Sequence, residues 1–160
     1  MKIQFKKGIA KPSVLNCIRD DGSVTWAKLR QGMETHDLAH YAVETVMEFK
    51  MAFFGILREG YAITDFELPA HKKPQALLPS KMHETALQTE HIVNLLQIEF
   101  FNTGHNKNFL SDLEPILAEN ELPFPLGLDE GKLEKIRSLF SELLFKWGAL
   151  GEGEILELRF

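Results

Sequence analysis

Apolar residues recur with a helical period over Thr35–Arg58, which makes this stretch the most clearly patterned element of the chain. At about 100° per residue, one half of the helical wheel is apolar and about a third of it forms a polar stripe. The apolar half comprises Leu38, Ala42, Val46, Phe49, Phe53, Ile56 and Leu57. The pattern predicts one amphipathic helix that Thr35 caps through its hydroxyl and that ends before Gly60.

Short segments with the pattern of β-strands occur near both ends of the chain. They are Lys2–Lys7, Val14–Arg19, Val24–Lys28 and Glu154–Phe160. The residues Asp20-Asp21-Gly22-Ser23 predict a hairpin turn between the second and third strands, and Trp26 is the expected anchor between that hairpin and a helix. The C-terminal strand needs a partner, and the N-terminal strands offer the available edge.

Three further helices are predicted from their apolar stripes. They are Lys81–Asn102, a helix that ends at Asn120, and Glu130–Trp147. Ser80 and Asp129 are the expected N-caps of the first and third, and Ser111-Asp112-Leu113-Glu114 is a capping box for the second. The first is apolar nearly all round beyond Ile92, so we expect it to be buried.

These elements predict an α+β fold with a single domain over residues 1–160. About four helices pack with a small antiparallel sheet, which is formed from the N-terminal strands and the C-terminal strand.

The segment Gly60–Ser80 has no convincing period, and Pro69, Pro74 and Pro79 interrupt it. Segments of this length without regular structure are uncommon inside compact domains and often act as lids over functional sites. Frequent apolar residues favour instead an extended belt that covers the core, while the lid interpretation stays open. The apolar residues concerned are Ile63, Phe66, Leu68, Leu77 and Leu78.

Composition narrows the classes of partner. The 160 residues carry a formal net charge of −5 and contain no basic run, which argues against nucleic acid. The longest apolar run, Met51–Leu57, is too short to cross a bilayer, so no membrane partner is expected. The N-terminal residues lack the apolar core of a signal peptide, and the single Cys17 fits a reducing compartment. We therefore expect a cytoplasmic protein in which Cys17 is a packed, unreactive thiol.

The polar stripe of the first helix holds the residues with the most obvious chemistry, His36, Asp37, His40 and Glu44. Residues four positions apart lie about 6 Å apart along a helix axis, so His40 can share a metal ion with His36 or with Glu44. Further ligands must come from another segment. The candidates on the second long helix are His83, Glu84, Glu90 and His91.

Such a centre would have His40 as its central ligand and would hold zinc, iron or manganese. Asp37 or Glu44 would be the spare carboxylate, which either orients an imidazole or acts as a base. If catalytic, the site would be hydrolase- or lyase-like and would leave a ligand position open for water.

Two other interpretations compete with the metal centre. The stripe faces water, or it forms a hydrogen-bonded network or a subunit contact in a non-enzymatic binding module or homodimer. The sequence alone favours neither an enzyme nor a binding module, and a small-molecule ligand fits both.

The run HDLAHYAVE, from His36 to Glu44, followed by FFGILREGY, resembles the signature of a family of small, uncharacterised bacterial proteins. In that family a hairpin with a DDGS-type turn precedes a helix with this motif, and the resemblance covers about the first seventy residues here. The family has no established activity, so the resemblance implies no mechanism. His36, Asp37 and His40 are also similar to the HDxxH zinc motif of a ubiquinone-biosynthesis family. In that family a glutamate twelve positions after the second histidine completes the motif. The equivalent position here is Ala52, so the function of that family is not transferred to this chain.

Overall fold

The computed structural model describes residues 1–102 and 104–160. One face of an antiparallel sheet contributes to the hydrophobic core. The strands in that part of the chain are β1 (Lys2–Lys6), β2 (Val14–Ile18), β3 (Val24–Lys28) and β4 (Ile155–Arg159). Their order across the sheet is β3-β2-β1-β4, so the C-terminal strand pairs with the N-terminal one. The predicted α+β fold, with a sheet built from both ends of the chain, is confirmed.

Strand register aligns the apolar positions into a continuous buried surface. Ile3 lies opposite Cys17 on one side and Leu158 on the other, and Phe5 lies opposite Leu15. Because side chains alternate between the two faces of a strand, these residues share the face that contributes to the core. Burial raises the pKa of the Cys17 thiol to about 12, as expected for a packed, unreactive thiol.

The prediction that Trp26 anchors the hairpin to a helix is wrong, because the Trp26 side chain is 58% exposed. Thr25, its neighbour in β3, is buried, so the alternation of the strand turns Trp26 to the outer face of the sheet. There it lies opposite Asn16, whose amide donates to Gln4 Oε1 at 3.0 Å. The alternation of side chains between the two faces of the strand, and not the size of the ring, decides which residue enters the core.

The α-helices of the described ranges pack above the sheet and on one another. They are α1 (Met33–Met47), α2 (Phe53–Arg58), α3 (Glu84–Phe101), α4 (Phe109–Glu119) and α5 (Glu130–Ala149). Helix α1 is central, because it contacts α2, α3 and α5 and contributes Leu38, Ala42 and Val43 to the core. None of these helices combines the length and the apolar composition that crossing a bilayer requires.

The predicted single helix Thr35–Arg58 is wrong, because the chain leaves the helix after Met47 and starts α2 at Phe53. Glu48 adopts a left-handed φ of 56°, and the N–H of Phe49 donates to the carbonyl of Glu44 at 3.0 Å. Five residues therefore separate two helices, which the periodic apolar pattern had predicted to be one.

Two predicted helix starts in the first hundred residues are displaced. Gly32, with a φ of 88°, precedes α1, so Thr35 lies within the first turn and is not the cap. Helix α3 begins after His83, whose side chain accepts from the N–H of Thr85, rather than after Ser80.

The starts of the last two helices contrast with each other. Asn108 precedes α4, so the predicted capping box is wrong, and Ser111 Oγ donates to the carbonyl of Asn108 at 2.9 Å. The predicted cap of α5 is confirmed, because Asp129 Oδ1 accepts from the N–H of Lys132 at 2.7 Å. The predicted end of α4 at Asn120 is confirmed as well.

Helix α3 is buried along one side only, so the expectation of burial all round beyond Ile92 is wrong. Val93 and Leu96 enter the core, because this side packs against α1 and α4. The exposed apolar side chains of α3 are Ile98, Phe100 and Phe101.

Residues 60–80 lie against the core as a belt with two 3₁₀ helices, Ile63–Glu67 and Gln75–Leu77. Ile63 and Leu77 are buried, and the N–H of Ile63 donates to Thr25 Oγ1 of β3 at 3.0 Å. Burial and this bond to the sheet support the belt interpretation.

A buried ion pair fastens α5 to the C-terminal end of α3. Arg137 binds Glu99 with two bonds, Nη2 to Oε1 at 2.6 Å and Nε to Oε2 at 3.1 Å. Arg137 Nη2 also donates to the carbonyl of Asn106 at 2.9 Å. Both charged side chains are more than nine-tenths buried, so removing either partner leaves the other in an unfavourable environment.

We expect Arg137→Ala to lower the free energy of unfolding by about 3 kcal/mol, because the Glu99 carboxylate then lacks its buried partner. Lys146→Ala is the matched control, since it breaks the half-exposed pair with Glu142 and should cost less than about 0.5 kcal/mol. Urea unfolding followed by circular dichroism measures both values. Equal midpoints for the two variants would contradict the prediction.

Candidate metal centre

Two imidazoles and one carboxylate converge between α1 and α3. His36 Nε2 lies 3.1 Å from His40 Nε2, since residues four apart lie on one face of α1. Glu90 Oε1 lies 3.4 Å from His40 Nε2, and Glu90 Oε2 lies 3.9 Å from His36 Nε2. One donor atom from each residue lies within 4.8 Å of the others, so the three residues could together hold one metal ion.

The direction of α3 explains why Glu90 is the residue that completes the cluster. Gln97 contacts His36, near the start of α1, whereas Glu90 lies beside His40, one turn later. The two helices are therefore antiparallel. Glu90 therefore lies opposite the histidine pair. His83, about two turns nearer the start of α3, lies beyond it.

Each imidazole has a side-chain oxygen beside the ring nitrogen that points away from the cluster. Gln97 Oε1 lies 3.0 Å from His36 Nδ1. Glu44 Oε1 lies 3.4 Å from His40 Nδ1, an ion-pair distance at which this buried nitrogen still lacks a hydrogen bond to any described residue. An acceptor beside Nδ1 favours the tautomer whose Nε2 carries a free lone pair. The two Nε2 atoms lie at hydrogen-bond distance of each other, so in the metal-free protein one of them carries the proton that a metal ion would replace.

The Glu44 carboxylate is held by the start of α2. Glu44 Oε2 accepts from the N–H groups of Phe54 and Gly55, at 2.9 and 3.2 Å. A side chain at Gly55 would collide with the carbonyl oxygen of Lys50, so only glycine allows this close return of the chain. The break after α1 thus brings two backbone donors to Glu44.

The charges of the cluster favour a cation at its centre. Burial of the His40 ring acts against its charge, but the carboxylates of Glu44 and Glu90 outweigh burial and raise the pKa of His40 to about 10. Burial and the positive charge of His40 lower the pKa of His36. In the metal-free protein, a proton on His40 therefore sits among the carboxylates.

An open cavity of about 210 Å³ ends at the cluster. His36, His40 and Glu90 contribute to its lining, as does Asp37, whose pKa is raised by burial to about 7. A larger hollow beside Arg137, of about 370 Å³, contains no comparable group of donors in the described ranges. The cluster is thus accessible to a small molecule.

The structure sorts the predicted site residues into two sets. His36 and His40 converge with Glu90, which was one of four candidates on its helix, while Asp37 lines the cavity. Glu44 lies on the Nδ1 side of His40, away from the point of convergence. The predicted ligands outside the cluster are His83, which is exposed at the start of α3, and the half-buried His91.

Gln97 is a site residue that the sequence analysis missed. It follows Glu90 by seven positions, so the two share a face of α3 about two turns apart. That repeat of polar residues within an apolar helix was the available signal.

Comparisons with protein-family models, curated proteins and solved structures find no match for this chain. The resemblance to the family with the HDLxHYxVE helix therefore stays a prediction, and the site is interpreted from its own geometry.

The contrast between Glu44 and Glu90 generates a stability prediction for the metal-free protein. Glu44→Ala should lower the free energy of unfolding by about 2–4 kcal/mol, because two buried N–H groups and His40 lose their carboxylate. Glu90→Ala should cost less than about 1 kcal/mol, since this side chain is 48% exposed. Thermal and urea unfolding in EDTA measure both values. A larger loss for Glu90→Ala would contradict the assignment of Glu44 as the structural carboxylate.

Proposed function

We propose that His36, His40 and Glu90 bind one divalent transition-metal ion with an open ligand position toward the cavity. The observation that carries the proposal is the convergence of three donor atoms within 4.8 Å. The outer nitrogens of both imidazoles face oxygen acceptors, which is the arrangement that orients metal-bound histidines.

The donor spacing suits an ion. Zinc binds imidazole nitrogen at about 2.0–2.1 Å, so two ligand atoms of a tetrahedral site lie about 3.3 Å apart. The two Nε2 atoms lie 3.1 Å apart, and each has a different oxygen of Glu90 nearby, Oε1 at 3.4 Å from His40 and Oε2 at 3.9 Å from His36. Glu90 is half exposed and is therefore free to make the small rotation that would equalise them.

Two imidazoles and one carboxylate are a donor set that suits zinc, iron or manganese. With three protein ligands, a fourth position remains for water, whose pKa such an ion lowers. Hydrolase- or lyase-like chemistry is the class that this arrangement supports. Asp37, which lines the same cavity, is the carboxylate available as acid or base, and Glu44 orients His40.

A second candidate function is a non-enzymatic module in which the same residues form a buried hydrogen-bonded network. The observation in its favour is that one proton on His40 places a positive charge between the carboxylates of Glu44 and Glu90 without metal. A cytoplasmic homodimer stays a prediction under either function. Size-exclusion chromatography with and without EDTA separates a chelator-indifferent dimer from a metal-dependent protein.

Zinc titration tests the proposed centre. EDTA-treated protein purified without a histidine tag should bind about one Zn²⁺ per chain, and His40→Ala should abolish binding. Glu90→Gln should weaken binding at least about tenfold, because an amide is a poorer ligand than a carboxylate. His91→Ala and His83→Ala are the matched controls, since both histidines lie outside the cluster. Isothermal titration calorimetry gives stoichiometry and affinity.

Thermal unfolding supplies an independent measurement, because a ligand at a hundred times its Kd adds about 2.7 kcal/mol to stability. The absence of binding heat together with an unchanged melting temperature would refute the metal centre and favour the hydrogen-bonded network. Equal losses in His40→Ala and His91→Ala would mean adventitious binding at surface histidines.

Zinc binding should also release about one proton at pH 7, because the pKa of His40 is raised to about 10 and the metal needs its neutral form. Between pH 8 and pH 6 the affinity should therefore fall about tenfold for each unit of pH. Titrations in buffers with different ionisation enthalpies count the released protons. A binding heat that does not depend on the buffer would contradict this protonation state.

A further inference from the structure

The cavity beside the candidate metal centre has a large apolar part in its lining. The apolar residues are Ala27, Leu29, Met33, Phe53, Ile63 and Phe66. The rings of Phe53 and Phe66 lie 5.1 Å apart in an edge-to-face arrangement, and Phe53 lies 5.6 Å from the His40 ring. Because these two rings already contact each other, they present one aromatic surface against which a flat apolar group packs.

Polar groups occupy the two ends of the cavity. The metal donors are at the inner end, and at the rim Arg30 and Glu67 form an exposed ion pair at 3.5 Å. Mostly apolar walls with few polar groups at defined positions are typical of small-molecule sites. The other charged side chains of the lining are Lys28 and Asp37.

The volume limits the size of the occupant. An apolar cavity of about 150 Å³ is large enough to hold benzene. The cavity here measures about 210 Å³ and is open at one end. It therefore holds one six-membered ring together with a small polar head.

We infer that the cavity takes a small molecule with a single flat apolar ring and an oxygen-donor head, the head filling the open position of the metal ion. The inference rests on the proposed metal centre. It adds that the body of the ligand is recognised by the apolar walls, with Phe66 as the specificity-determining residue at the belt.

Two hydroxamates with the same chelating head test the inference on the zinc-loaded protein. Benzohydroxamate carries an aromatic ring, whereas acetohydroxamate carries a methyl group. We expect the ring to tighten binding about tenfold or more, because it removes apolar surface from water against Phe53 and Phe66. Phe66→Ala should reduce this preference at least about threefold while leaving zinc affinity unchanged.

Two further variants keep the test decisive. Phe145→Ala removes a ring that is 79% exposed and lies outside the cavity, so the preference should stay as in the wild type. Phe66→Leu keeps an apolar side chain in the belt and removes the ring, which covers the case in which Phe66→Ala does not fold.

Separate outcomes distinguish the two proposals. If zinc does not bind, the metal centre fails and the ligand inference fails with it. If zinc binds but the two hydroxamates bind equally, or if Phe66 variants keep the full preference, the metal centre stands and the ligand inference is overturned. Competition titrations with a chromophoric zinc chelator measure the zinc affinity of every variant before the hydroxamates are compared.

Discussion

The hydrogen bonds from the start of α2 to the buried carboxylate of Glu44 are the interaction on which both the break in the first predicted helix and the candidate site depend. Glu44 is 1% exposed, and a carboxylate in that position is unfavourable unless donors surround it. The turn after α1 supplies them by returning the N–H groups of Phe54 and Gly55 to Glu44 Oε2. The same carboxylate faces the outer nitrogen of His40, so one residue joins the path of the chain to the orientation of the imidazole.

Contacts of the two chain ends with each other and with α1 also help to hold the helix that carries His40 and Glu44. The hydroxyl of Tyr41 donates to the carbonyl of Arg159 in β4 at 2.8 Å, and the amino group of Met1 donates to the carbonyl of Phe160 at 2.7 Å. Tyr41 follows His40 directly in α1. A hydrogen bond next to the imidazole therefore ties α1 to β4, the strand that pairs with β1.

Period and alternation were sufficient to predict the strands, their pairing and the α+β class, because these patterns record which face of each element is buried. They were insufficient where a tertiary contact decides. No proline or glycine lies between Met47 and Phe53, so nothing local signals the break that the donors for Glu44 require. Trp26 shows the complementary failure: hydrophobicity favoured the core, but its position in β3 placed it outside.

For the candidate site, spacing alone identified the pair His36 and His40, because four residues bring two side chains to one helix face. The third donor depended on the antiparallel direction of α3, which local pattern does not encode, and only then does Glu90 separate from His83 and His91. With Glu90 beside the two histidines, the charges of the three side chains limit what can lie between them. Two imidazole lone pairs and a carboxylate that face one another repel unless a cation lies between them, and an open cavity lets a metal ion compete with the proton for that position.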